Sequence, residues 1–115
     1  MDFAIDHDPI AAGHLIAVSG ELDLAAVPRL STVLAIAGTG HGGTVVLDLA
    51  AVDFIDSSAL GTIIRAASDL EKRQTVLAVV APEGAVRRLL EVTNLSGRFA
   101  LFATREDALA AAAGA

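Results

Sequence analysis

Apolar positions along the chain change period several times, and each change marks an element. Residues 3–8 alternate loosely and read as a short strand, and residues 9–13, with Pro9 and Gly13, read as a turn. Residues 14–20 contain Leu15-Ile16-Ala17-Val18 and read as a second strand. The short connection makes the pair an antiparallel hairpin. Residues 21–26 read as a loop. Pro28 suits the first turn of a helix, where its missing N–H costs nothing. Leu30, Val33, Leu34 and Ala37 follow at helical spacing, and Gly38 stops the run.

Residues 38–43 are a glycine-rich connector. Residues 44–49 are near-continuously apolar, as expected of a central strand covered on both faces. Asp48 is the exception, expected near that strand's end with loop amides to bond. A helix starting around Ser57 carries the stripe Leu60, Ile63, Ile64, Ala67 and Leu70. Residues 75–81 read as a strand and residues 82–93 as a helix with Val86, Leu89 and Leu90 on one face. Residues 98–102 read as a last short strand. Thr104, with Asp107 three residues on, has the form of a capping box for an alanine-rich C-terminal helix that frays at its end. The order β-β-α-β-α-β-α-β-α predicts an α/β domain over residues 1–115. Its sheet is mixed but mostly parallel, of about five strands, with about four helices and right-handed crossovers after the hairpin.

Composition narrows the function classes. The 115 residues fit one domain, able to bury roughly two-thirds of its unfolded surface. With no cysteine, disulfides, thiolate metal sites and cysteine nucleophiles are excluded. A net charge of -6 with a single lysine, Lys72, argues against binding a nucleic acid backbone, and four phenylalanines give little for base stacking. No basic-then-apolar leader follows Met1, since Asp2, Asp6 and Asp8 intervene, and no apolar run is long enough to cross a membrane. The expected compartment is the cytoplasm.

The chemistry concentrates in residues 45–65, where a buried strand leads through a short loop into Asp56-Ser57-Ser58 at a helix start. Ser57 is expected as the N-cap or its neighbour. A phosphate there would meet free N–H groups and the positive end of the helix dipole. It would add about -1.5 to -2 charge at neutral pH, which a docked partner could not bury cheaply. The other candidates are weaker. The connector at 38–43 follows a helix and opens a strand, the reverse of a dinucleotide-binding loop. His7, His14 and His41 lie on separate elements without paired spacing, so no metal site is expected. Arg87 and Arg88 are expected on a solvated helix face. A serine hydrolase is disfavoured, because no G-x-S-x-G elbow is present and no histidine falls where a triad in the usual order needs it. Lys72, on the second helix, does not fit a phosphoacceptor receiver domain.

Asp56-Ser57-Ser58-Ala59-Leu60-Gly61 resembles the D-S-S-G-L-G motif of the anti-sigma factor antagonists of the STAS domain family. Gly20-Glu21-Leu22-Asp23 is similar to that family's G-E-L-D, on a loop facing the phosphorylation site. Ala85-Val86-Arg87-Arg88-Leu89-Leu90 resembles its penultimate helix, and Asn94-Leu95 with the strand after it also fits. The resemblance covers nearly the whole chain. It implies a STAS-like fold and a non-enzymatic regulator without a cofactor. It also implies Ser57 as phosphoacceptor, with Glu21, Asp23, Asp56, Ser57, Ser58, Ala59, Leu60 and Gly61 forming the partner-binding surface. The implied partners are an anti-sigma factor that is itself a serine kinase and a PP2C-type phosphatase that resets the switch. ATP and its metal belong to the kinase. Ala59 departs from the family glycine and is expected to add a methyl at the docking surface. A monomer and a weak dimer both stay open. The competing expectation is a constitutive STAS subunit of a transport or stress assembly, which would keep the fold and need no phosphate.

Overall fold

The computed structural model describes residues 2–39, 42–94 and 97–114. Strands β1 (Phe3–Ile10) and β2 (Gly13–Leu22) form the antiparallel hairpin. A 3-10 turn (Leu24–Ala26) leads into α1 (Val27–Ala37), followed by β3 (Thr44–Ile55), α2 (Ser57–Lys72), β4 (Val76–Val80), α3 (Ala85–Thr93), β5 (Ala100–Phe102) and α4 (Arg105–Ala113). The sheet order is β1-β2-β3-β4-β5, parallel from β2 onward. The strands from β2 to β5 advance in one direction. Right-handed crossovers therefore put α1, α2 and α3 on the same face.

That face holds the main core. Ile16, Leu47, Leu77 and Val79 of the strands meet Leu30, Leu34, Ile63 and Leu90 of the helices, all essentially sealed from solvent. After β5 the chain turns under the sheet, and α4 covers part of the opposite face. Ala108 packs there against Val46, Ala78 and Val80, with Leu15 and Phe102 at the margin. Two of the capping expectations hold: Pro28 lies in the first turn of α1, and the Thr104 hydroxyl accepts the Asp107 N–H.

The boundaries differ from the periodic reading where tertiary pairing takes over. β1 continues through Pro9 to Ile10, because Pro9 and Ile10 find partners in His14 and Gly13 and leave only Ala11 and Ala12 to turn. β3 does not stop at residue 49. Residues Ala51 to Ile55 pair with Ser19 to Leu22, so the stretch before Asp56 is strand, with register shifts between Ala17 and Ser19 and again between Gly20 and Glu21. β2 likewise runs on through Glu21 and Leu22. Helix α3 starts at Ala85 rather than at 82, because Gly84 sits at φ 152°, outside the helical region. The last strand begins at Ala100, not at 98.

Asp48 lies mid-strand, not near the strand's end. Its side chain points to the α4 face, accepts the Ala50 N–H at 2.9 Å and meets Arg105 Nε at 2.7 Å. Arg87 also departs from expectation. Its side chain is 18% exposed rather than solvated and donates to the Ala81 carbonyl at 2.7 Å. The connector at 38–43 lies partly outside the described residues. Its described ends are tied down: Arg73 donates to the Gly38 carbonyl at 2.8 Å, and the Gly42 N–H reaches the Arg73 carbonyl at 3.3 Å. Of the Asn94-Leu95 pair, Leu95 lies outside the described residues. Asn94 brackets Phe99 with two hydrogen bonds and so steers the chain into β5.

Candidate functional site

The carboxyl ends of β2 and β3 lie side by side, with Glu21 opposite Phe54 and Leu22 opposite Ile55. This register brings the segment from Glu21 to Asp23 against Asp56-Ser57-Ser58. The Asp56 N–H donates to the Leu22 carbonyl at 3.0 Å. On its other side β2 is approached closely by the start of the chain, and Gly20 permits that contact. Its φ is 89°, and a β-carbon there would collide with the Asp2 carbonyl, which instead accepts the Glu21 N–H. Asp23 is more than a solvated loop carboxylate. It caps the 3-10 turn by accepting the Ala25 N–H at 3.0 Å.

Asp56, not Ser57, is the N-cap of α2. Its backbone is extended, at φ -98° and ψ 178°, and its Oδ1 accepts the Ala59 N–H at 3.0 Å. The same oxygen accepts the Ser58 hydroxyl at 2.6 Å. These donors, the Ser58 hydroxyl foremost and the Ala59 N–H next, hold the Asp56 carboxyl below the ordinary carboxylate range. Ser57 thus becomes the first helical residue. It is exposed, and its hydroxyl is not among the groups that the cap engages.

The eight expected interface residues divide by exposure. Ser57 is open, and Glu21, Asp23, Asp56, Ser58 and Gly61 are half-buried. Ala59 and Leu60 face inward and join the main core. The expectation that the Ala59 methyl adds to a docking surface is therefore corrected: with Ala59 at 0% exposure, the methyl fills space beneath the helix start.

Two apolar side chains complete the exposed surface and escaped the sequence reading. Leu24, 70% exposed, follows the Asp23 cap, and its N–H approaches the Asp56 carboxylate. Phe54, 44% exposed, stands at the end of β3 opposite Glu21. Local alternation gives no signal for Phe54, since strict period two from Val52 would turn it inward. In the run Val52-Asp53-Phe54-Ile55 the inward positions are Val52 and Ile55, and only the bulged register turns Phe54 outward.

The chain's histidines are not all isolated. His7 and His14 meet across the hairpin, with His7 Nε2 at 2.9 Å from His14 Nδ1. The expectation of unpaired spacing is corrected for these two, because the tight turn folds their strands together. Among the described residues no group of three or more histidine, cysteine or acidic side chains is placed to hold a metal ion, and no helix is long and apolar enough to cross a membrane.

A five-stranded sheet with three helices on one face, one on the other, and a serine at the start of α2 is the arrangement of a STAS domain. The STAS domain family profile matches residues 7–108, and the chain belongs to that family. It is 31% identical over 104 residues to the anti-sigma-F factor antagonist RsfB of Mycobacterium tuberculosis, covering 90% of this chain and 82% of that protein. It is 32% identical over 81 residues to the anti-sigma-B factor antagonist of Listeria monocytogenes, covering 70% of this chain and 71% of that one. Among solved structures, an anti-sigma factor antagonist from Mycobacterium paratuberculosis superimposes with a TM-score of 0.86 at 28% identity, over 97% of this chain and 95% of that one.

Proposed function

We propose that this chain is an anti-sigma factor antagonist whose partner binding is switched off by phosphorylation of Ser57. In its unmodified form it docks an anti-sigma factor through the surface around Ser57, and the sigma factor is released. The anti-sigma factor is a serine kinase that transfers phosphate from its own ATP to the Ser57 hydroxyl. A PP2C-type phosphatase removes the phosphate again. The observation that carries this reading is the division of labour at the start of α2: Asp56 caps the helix and leaves Ser57 exposed. The names and similarity of the relatives support the same reading.

The physical effect of the phosphate falls on the partner rather than on the fold. Ser57 can gain about -1.5 to -2 charge without losing a structural hydrogen bond. That charge would sit beside Asp56, Asp23 and Glu21. The engaged arginines bond elsewhere: Arg29 to Ile5, Arg65 to Thr62, Arg73 to Gly38, Arg87 to Ala81, Arg98 to Ser68 and Arg105 to Asp48. A partner packed on Leu24 and Phe54 would have to bury an unneutralised dianion at the rim of its contact. Each 1.4 kcal/mol lost is about tenfold in affinity, so one phosphate suffices.

The test is calorimetric titration of the chain with the anti-sigma factors of its own genome, using Ser57→Ala, Ser57→Asp and kinase-treated protein. Ser57→Ala is expected to bind as tightly as the wild type, and the Ser57→Asp and phosphorylated forms at least about tenfold more weakly. Equal binding by all forms would replace the switch with a constitutive STAS subunit.

A further inference from the structure

His7 and His14 lie on the helix-covered face of the hairpin, at its rim. Their strand partners are Ile16 and Pro9, which makes the two histidines a diagonal pair near the turn. Diagonal neighbours in an antiparallel ladder are within reach of long or aromatic side chains. The rings stand 4.9 Å apart between centroids and tilt 52° to one another, with His7 Nε2 and His14 Nδ1 facing at 2.9 Å. Both side chains are half-buried, so the pair is anchored by the sheet yet open to solvent on one side.

We propose that this pair is a two-imidazole chelate for a divalent transition-metal ion of the copper and nickel class. The distance carries the inference. With metal–nitrogen bonds of about 2.0–2.1 Å, donors at this separation subtend about 90° at the ion. That is the angle between neighbouring ligands in tetragonal Cu2+ or Ni2+. Tetrahedral Zn2+ would need the nitrogens about 3.4 Å apart, so the two rings would have to swing away from each other to admit it. Each neutral imidazole keeps its proton on the remote nitrogen, so the ion takes the place of the shared hydrogen-bond proton after a change of tautomer in one ring. Water fills the remaining positions from the open side.

The surroundings are mixed in charge. Asp6 and Asp8 flank His7 along the strand with side chains on the opposite face. Arg29 of α1 donates to the Ile5 carbonyl at 3.3 Å, two residues from His7. The net charge of -6 favours cation approach at long range. Once bound, the ion would clip β1 to β2 and stabilise the folded chain by mass action.

The test uses the full chain without an affinity tag. Paramagnetic resonance of the Cu2+-loaded protein is expected to show one ion per chain with nitrogen coupling from two imidazoles. Ni2+ titrated by calorimetry is expected to bind more tightly than Zn2+. His7→Gln and His14→Gln are each expected to weaken Ni2+ at least about tenfold, the lower bound for disturbing even an outer-shell partner of a metal site. Far-UV circular dichroism checks that these variants fold, and His41→Gln serves as the control that leaves binding unchanged. Binding that survives the double His7→Gln, His14→Gln substitution, that requires His41, or that shows a single imidazole would overturn the proposal.

Discussion

Asp56 gathers a hydroxyl and an N–H on one carboxylate oxygen, and its ionised form is the one they favour. A carboxyl whose folded pKa lies below its unfolded value stabilises the fold at pH above the unfolded value, and that contribution disappears as pH falls through the folded one. The start of α2 is therefore expected to weaken at acid pH and not at alkaline pH. Asp56→Asn keeps a good cap side chain but cannot ionise. Urea denaturation between pH 7 and pH 3 is expected to show a shallower acid loss in Asp56→Asn than in the wild type; parallel curves would remove Asp56 from the acid response. Ser57→Ala, by contrast, is expected to leave stability within about 0.5 kcal/mol, since the hydroxyl caps nothing and the side chain is exposed.

At the scale of elements, α4 is held to the sheet by a small apolar patch and one ion pair. Asp48 offers a side chain only 8% exposed, whereas Arg105 is 47% exposed. Removing the arginine strands a buried carboxylate that retains only the Ala50 N–H. Arg105→Ala is expected to cost about 2–3 kcal/mol in urea denaturation, at or below the low end for a broken buried pair because Arg105 is half in water. Thr104→Ala removes the cap of the same helix and is expected to cost about 1 kcal/mol. A loss from Arg105→Ala no larger than that from Thr104→Ala would mean that water already satisfies Asp48. Helix α2 behaves differently, because Ala59, Leu60, Ile63, Ala67 and Leu70 all face the core. Its N-terminus is consequently a fixed platform, and a charge added at Ser57 stays where it is placed.

For the whole molecule, the three crossovers on one face concentrate the apolar burial there, and the stability of the site depends on that shared core. Ile63 is fully sealed between α2 and the sheet. Ile63→Ala is expected to cost about 2–5 kcal/mol with an unchanged denaturant slope, as for a cavity in a cooperative core. A lower slope would show instead that α2 detaches from the rest. One edge of the sheet is β1, whose Asp6, Asp8 and Pro9 are residues that discourage another strand from adding.

The element order, the antiparallel hairpin, the parallel remainder and the helix start at residues 56–58 were all legible in the sequence. They follow from local rules: apolar period, turn chemistry and the capping preference of Asp, Ser and Thr. Other features depended on what the chain meets at a distance. Residues 50–55 look like a loop until Ser19 to Leu22 are laid beside them, and the bulges created by that pairing turn Phe54 outward. Spacing allows either Asp56 or Ser57 to cap α2; the Leu22 carbonyl, by anchoring the Asp56 N–H, decides it for Asp56. Whether the Ala59 methyl faces a partner or the core, whether Asp48 meets water or Arg105, and whether His7 and His14 touch are questions of packing between elements. The sequence by itself determined which elements form and in what order, because hydrogen bonding and apolar period act over a few residues. Only the tertiary structure decided which side chains are left at the surface around Ser57, because exposure is set by the neighbours that the fold brings in from far along the chain.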